Sequence, residues 1–135
     1  MSSKRYQLTL TRDQAALVRA ALDMYFRVGM GQLRDVVEHL LDPKLPIDEW
    51  CKRRDLIDSV MLAARSLARP ELPSNAYHSI SSDKISENNR IACDIHDVIR
   101  HHLAMEASPN GWTVAHDEPR KLSDEPLPDI KTIEE

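Results

Sequence analysis

The sequence predicts an α+β fold that is mainly α: three to four helices with a small two-stranded antiparallel sheet formed by the N- and C-terminal strands. Apolar residues recur at three- and four-residue steps over most of the chain, which places them on one face of a helix. Two short stretches near the chain ends alternate apolar and polar residues, as half-buried strands do. At 135 residues, of which 41% are hydrophobic, the chain has enough apolar residues for the core of one domain.

The longest helical pattern runs from Thr11 to Asp42 and is interrupted by Gly29 and Gly31. Thr11, followed three residues later by Gln14, matches a capping box, in which two side chains bond backbone N–H groups at a helix start. The apolar faces of this segment are predicted from Leu17, Val18, Ala21, Leu22, Tyr25 and Val28 before the glycines and Leu33, Val36, Val37, Leu40 and Leu41 after them. The rest of the chain is expected to pack on this segment.

Two further helices are predicted on either side of a Ser-, Pro- and Asn-rich loop over residues 70–83. The first opens near Asp48 and stops at Pro70, because proline ends a helix. Its predicted buried stripe consists of Trp50, Leu56, Ile57, Val60, Met61, Ala64 and Leu67. The second runs from about Asp83 to Glu106, with an apolar face formed by Ile91, Ala92, Ile95, Val98, Ile99 and Leu103.

The alternating stretches Tyr6–Leu10 and Trp112–His116 lie at the two ends of the helical body. Antiparallel pairing would bury one face of each, so they are expected to form the small sheet. Residues 1–116 then make a single mainly helical domain. Residues 117–135 carry seven acids, three bases and three prolines. This acidic Pro-containing tail is expected to be extended or partly disordered.

Composition restricts the classes of function. No 18-residue apolar run predicts a transmembrane helix, and no apolar region follows Met1 as in a signal peptide. Cys51 and Cys93 do not form a C-x-x-C pair, so we expect reduced thiols in a cytoplasmic protein. The tail accounts for the net charge of −4, which leaves residues 1–116 balanced and makes nucleic acid an unlikely partner. The small aliphatic core and broad apolar helix faces favour a homo-oligomer, most simply a dimer.

The two glycines mark a candidate ligand site. Each costs roughly 1 kcal/mol relative to alanine inside a helix, so the interruption requires a reason. One interpretation is a helix break whose free N–H groups bind a phosphate or carboxylate, assisted by nearby arginines. The residues predicted for this site are Arg27, Gly29, Gly31, Arg34, Arg100 and His101. The alternative is a kink or a close helix crossing that only glycine fits.

Polar residues cluster on one side of the last predicted helix: Cys93, Asp94, His96, Asp97, Arg100, His101 and His102. A solvated or intersubunit face is the favoured interpretation, with anion binding by the last three residues as an alternative. A metal-dependent hydrolase would use Asp94, His96, Asp97 and His101, although no H-E-x-x-H motif is present. No catalytic residue, metal or cofactor is therefore predicted.

A nucleic-acid-binding regulator is the other alternative function. Its basic residues would be Lys52, Arg53, Arg54, Arg65 and Arg69. The triplet Lys52-Arg53-Arg54 has acids on both sides, which is more typical of a solvated helix face. A nucleic-acid site also requires more bases and interleaved aromatic residues than this segment contains.

Five short segments occur in a recognisable order along the chain: RYQLTLT over 5–11, RVGMGQ over 27–32, ACDIHDVIRH over 92–101, PNGW over 109–112 and EPLP over 125–128. In this order the chain resembles a group of small uncharacterised proteins encoded by tailed bacteriophages. The resemblance implies the infected bacterial cytoplasm as the setting and supplies no catalytic residues. The leading hypothesis is a non-catalytic accessory protein that acts on a host or defence factor, with sequestration of a small anionic, nucleotide-like ligand as one mode of action.

Overall fold

The computed structural model describes residues 4–73 and 75–134, the side chain of Asp35 excepted. The described chain forms α1 (Arg12–Met30), α2 (Arg34–Leu40), α3 (Ile47–Ala68), α4 (Glu87–Ala107) and a 3-10 turn (Val114–His116). α1 and α4 pack on each other and form the main body, whereas α2 and α3 pair beside the end of α1. Residues 1–3, Ser74 and Glu135, which belong to the predicted domain, loop and tail, lie outside the described residues.

The predicted two-stranded sheet is wrong, because the described residues contain helices, turns and coil but no strand. The second predicted strand contains the 3-10 turn instead, and the Thr113 backbone N–H donates to His116 Nδ1 at 3.3 Å to cap it. Tyr6 and Trp112, at the start of the two alternating stretches, are each 93% exposed. Alternation produces a strand only where a neighbouring strand completes the ladder, and neither segment finds one here.

The start of α1 is as predicted, but its buried face is not. Thr11 Oγ1 accepts a bond from the Gln14 N–H at 3.2 Å, and Gln14 Oε1 accepts one from the Thr11 N–H at 2.9 Å, which confirms the capping box. Phe26 is the buried residue of α1, whereas Leu17 and Tyr25 of the predicted stripe are exposed. Apolar residues surround much of this helix, so its periodicity alone does not select the side that meets α4.

The core forms where α1 crosses α4. Phe26 packs with Ile80 and Ile85 of the loop before α4, and with Ala92 and Cys93 of α4 itself. Gly29 permits the close approach, because a Cβ atom at this position would overlap the buried amide of Asn89. The structure therefore supports the close-crossing interpretation of this glycine.

Gly31 ends α1 in the left-handed conformation, with φ of 92°. Its N–H donates to the Val28 carbonyl at 3.0 Å, and the Gln32 N–H donates to the Arg27 carbonyl at 2.8 Å. Glycine adopts this conformation without the steric cost that a side chain would add. The interruption is thus a helix end followed by a chain reversal, and α2 begins three residues later.

The predicted buried stripe of α3 is wrong at several positions. Leu56, Val60 and Leu67 are exposed, and no residue of α3 is buried. The reason is the limited contact of this helix, which packs against α2 and against no other helix of the described chain. The buried apolar residues on the α2 side are Val37 and Leu41.

The acidic tail is anchored to α4 at several points. The Glu87 carboxylate accepts the Asp124 N–H at 2.6 Å, and the His102 ring lies 3.0 Å from the Thr132 hydroxyl. Asp94 accepts hydrogen bonds from the Leu122 N–H at 2.8 Å, the Ser123 N–H at 3.0 Å and the Ser123 hydroxyl at 2.6 Å. Leu122 packs against the core, and Ser123 is buried. Residues 117–134 therefore lie along the body without forming a helix or strand.

We expect Gly29→Ala to destabilise the fold, although alanine is the better helix former by about 1 kcal/mol. The added methyl group must displace the Asn89 side chain. Chemical denaturation should therefore show a lower free energy of unfolding for Gly29→Ala than for wild type. In an Asn89→Ala background the clash is absent, and the same substitution should become neutral or stabilising. An equal loss in both backgrounds would exclude the crossing as the reason for this glycine.

Candidate functional site: a groove between α2 and α3

A groove of about 490 Å³ lies between α2, α3 and the loop that follows α3. Leu33, Met61 and Leu62 supply apolar lining. The polar and aromatic lining consists of Gln32, Arg34, Asp58, Arg65, Asn75 and Tyr77. The groove thus combines apolar contact surface with two cations, one carboxylate, two amides and an aromatic ring, which is the mixture found in small-molecule sites.

The last turn of α1 positions the groove by fixing the loop that follows α3. The Met30 carbonyl accepts from the His78 N–H at 2.9 Å, and the Gly29 carbonyl accepts from Arg69 Nη2 at 3.3 Å. With the carbonyls of residues 27 and 28 bonded at the helix end, the final carbonyls of α1 all have donors. The groove is therefore not lined by free helix carbonyls that would repel an anion.

A second contact fastens the same loop. The His78 ring lies 3.0 Å from Glu71 Oε1, and this hydrogen bond lowers the pKa of the exposed Glu71 carboxyl below its ordinary value. Leu72 packs beside Gly31, where a Cβ atom would lie 3.0 Å from its side chain. These contacts hold the loop that carries Asn75 and Tyr77 against the end of α1.

Arg65 and Arg34 provide the positive charge of the groove. Arg65 donates through Nη2 to the Pro73 carbonyl, while its buried Nε has no hydrogen-bond partner among the described residues. Arg34 is exposed at the rim. Among the lining residues that the structure describes, Asp58 is the one acid, so these residues carry a net charge of +1 from two bases and one acid. Guanidinium groups in this setting suit phosphate or carboxylate oxygens.

The structure divides the six residues predicted for ligand binding between three places. Gly31 and Arg34 line the groove, and Arg27 holds a lining residue, because its Nη1 donates to Gln32 Oε1 at 2.7 Å. Gly29 lies at the contact between α1 and α4, and Arg100 lies beside Asp97 on α4. His101 lies near the tail, with Nε2 4.0 Å from Glu118. The expected meeting of the glycine segment with Arg100 and His101 in one site is therefore not observed, and ligand binding by these residues stays a prediction.

A polar network, buried on the α4 side and half-buried on the α1 side, joins α1 to α4 and includes two of the predicted arginines. Arg27 Nε donates to Asp23 at 2.9 Å, and Asp23 lies 3.7 Å from His96 Nε2. His96 Nδ1 is 2.9 Å from Asp97 Oδ1, which lies 3.6 Å from Arg100. The His96 ring also packs edge-on against Phe26, with 5.3 Å between centroids.

The interpretation of this polar side of α4 as a solvated or intersubunit face is wrong for Cys93, Asp94, His96 and Asp97, which are buried within the chain. Arg100, His101 and His102 are half-buried. Burial alone would raise the pKa of Asp97, but the hydrogen bond from His96 and the charge of Arg100 outweigh it, so the pKa lies below its ordinary value. Burial and the Asp97 carboxylate raise the pKa of the Cys93 thiol to about 11. Cys93 is therefore a protonated core residue rather than a nucleophile.

The contacts also bear on the two alternative functions. Asp94 is committed to the tail and His96 to Asp97, and the described residues contain no group of three His, Cys, Asp or Glu side chains arranged to hold a metal ion. Of the basic residues, Arg53 pairs with Glu49 at 2.8 Å and Arg54 lies over the Trp50 ring. Arg65 and Arg69 hold the loop after α3, so this set does not form one free basic surface.

Sequence reasoning missed most of the groove. Asp58 and Asn75 come from two segments that are distant from Arg34 in sequence, and Arg65 entered only the nucleic-acid alternative. No family model, curated protein or solved structure matches this chain. None of the described helices has the length and apolar character needed to cross a membrane.

We expect Asp97→Asn to destabilise the protein by roughly 1–3 kcal/mol near neutral pH, because His96 and Arg100 lose a charged acceptor. The lowered pKa means that the unfolded chain takes up a proton before the folded chain does as the pH falls below 3.8. Wild type therefore loses this stabilisation in acid. The difference in unfolding free energy between wild type and Asp97→Asn should shrink as the pH falls from 6 to 3. Unfolding free energies measured across this range test the prediction, with exposed Asp55→Asn as control. A pH-independent difference would contradict it.

Proposed function

We propose that this protein is a non-catalytic accessory binding protein of the phage type, which sequesters a small anionic, nucleotide-like ligand in the groove between α2 and α3. In this proposal it works in the cytoplasm of the host bacterium and withholds the ligand from a host or defence factor. The observation that carries the proposal is the convergence of Arg34 and Arg65 on an apolar-lined groove of about 490 Å³.

The size and chemistry of the groove support a ligand of nucleotide size. Its volume lies within the range of roughly 300–1,000 Å³ that small-molecule sites occupy. The guanidinium groups of Arg34 and Arg65 match phosphate oxygens, and the half-exposed Tyr77 ring offers a surface on which a base can stack. Asp58 and Asn75 supply an acceptor and an amide for the polar edge of a base or sugar.

The lining residues support binding rather than catalysis. Among the lining residues that the structure describes there is no histidine, cysteine, serine or threonine, and Asp58 is the single carboxylate. Nucleophilic catalysis requires a nucleophile within reach of a base, and acid–base catalysis requires a positioned proton donor or acceptor with a matched pKa. The described lining thus supplies groups that can recognise a ligand, but it supplies no nucleophile next to a general base.

The first test is direct binding. Native mass spectrometry of the purified full chain should show a retained mass of nucleotide size, and calorimetry with nucleoside monophosphates and inorganic phosphate should identify the groups recognised. Absence of a retained mass and of binding to any of these probes would overturn the proposal.

Variants locate the site. We expect Arg65→Ala and Arg34→Ala each to weaken binding by about 10- to 150-fold, because a hydrogen bond to a charged group contributes about 1.5–3 kcal/mol. Arg53→Ala is the matched control, since Arg53 is exposed on α3 outside the groove and pairs with Glu49. Circular dichroism checks that Arg65→Ala still folds, because Arg65 also bonds the Pro73 carbonyl. Arg34→Ala changes an exposed residue at the rim of the groove and is the second test of the same site. Equal weakening by Arg53→Ala would place the site elsewhere.

A further inference from the structure

The side of α3 that faces away from the groove presents a continuous apolar surface. Leu56, Val60 and Leu67 are 62%, 66% and 87% exposed, and Ala63 lies between them on the same side. Their spacing of four, three and four residues keeps them in one line along a helix. This outer face of α3, formed by these four residues, is flanked by the small exposed residues Ser59 and Ala64.

The position of α3 in the chain leaves this face without a neighbour. α3 has 22 residues, yet α2, the one helix it contacts in the described chain, has seven. Helices in water obtain most of their stability from packing an apolar face, and isolated ones are marginal. The inner side of α3 meets α2 and the groove, whereas no other helix of the described chain covers the outer face.

The accessible surface of the whole chain is large enough to supply such an interface. It amounts to 9964 Å², whereas a compact monomer of this mass exposes about 7,200 Å². Part of the excess belongs to the extended termini, and part belongs to α3. A stable dimer buries roughly 600–1,000 Å² on each subunit, which is less than the excess of about 2,800 Å² on one chain.

We propose that a second copy of this chain covers the outer face of α3 and that two α3 helices pair antiparallel about a two-fold axis. In such a pair Leu56 lies opposite the partner subunit's Leu67, and Val60 lies opposite the partner subunit's Ala63. A two-fold interface requires each patch to match itself in this way. Ser59 and Ala64 fall beside the axis, where their small side chains permit close helix packing.

The chemistry of the face favours a second copy over a different protein. Interfaces between unlike proteins draw their strongest contacts from Trp, Tyr and Arg, whereas homodimer interfaces are more apolar. The outer face contains Leu, Val and Ala and carries neither an aromatic residue nor an arginine. Pairing through it also leaves the groove open, because Asp58, Met61 and Arg65 lie on the opposite side of α3.

Light scattering and sedimentation of the full chain test this inference independently of any ligand. We expect wild type to have twice the monomer mass of 15.4 kDa. The dimer dissociation constant of Val60→Glu should be at least tenfold higher than that of wild type. The matched control is Leu17→Glu, since Leu17 is 69% exposed on α1 and outside the pair. A monomeric wild type, or a dimer broken by Leu17→Glu and not by Val60→Glu, would overturn the proposal.

Cross-linking reports the arrangement without depending on a destabilised variant. In a Cys51→Ser background, Val60→Cys should react with its copy through a thiol reagent spanning roughly 8–10 Å, the usual distance between packed helices. Leu67→Cys should not react, because antiparallel pairing separates the two copies of this position by roughly 16 Å along the axis, eleven residues at 1.5 Å each. Efficient cross-linking at Leu67, or none at Val60, would exclude the antiparallel pair.

Discussion

The close crossing of α1 and α4 at Gly29 is the constraint on which the rest of the structure depends. The missing side chain lets the Asn89 amide lie against α1, and the same approach places the half-buried Asp23 beside the buried His96 and Asp97. Burying polar groups is unfavourable unless each finds a partner, and the chain of contacts between Arg27 and Arg100 supplies partners. The network therefore fixes the register of the two helices more narrowly than the small apolar core does.

The crossing also determines where α1 ends, and the end of α1 organises the proposed binding groove. Gly31 turns the chain into α2, while the carbonyls of Gly29 and Met30 accept from Arg69 and His78 in the loop after α3. Arg27 belongs to both regions, because it bonds Asp23 in the network and Gln32 at the groove. A ligand in the groove would therefore contact elements that a single helix terminus holds in place.

α3 takes part in both the proposed ligand binding and the proposed dimer, through opposite sides of the helix. Its inner side supplies Asp58 and Arg65 to the groove, and its outer face carries exposed leucine and valine residues. With α2 as its one helical neighbour in the described chain, α3 is the least supported wall of the groove. A second copy packed on the outer face would hold this wall in place, so dimer formation and ligand affinity should rise together.

The sequence by itself determined the local features: the capping box at Thr11 and Gln14, the helix end before Pro70, and the helical character of most of the chain. These depend on contacts between residues a few positions apart, which sequence spacing reveals. Tertiary structure alone decided that Phe26 is the buried residue of α1, that Leu56 and Val60 are exposed, and that the polar side of α4 is buried. It also left the alternating ends unpaired and brought Arg34, Arg65 and Tyr77 to one groove. Periodicity identifies the face of a helix, but only the neighbouring elements determine whether that face is covered.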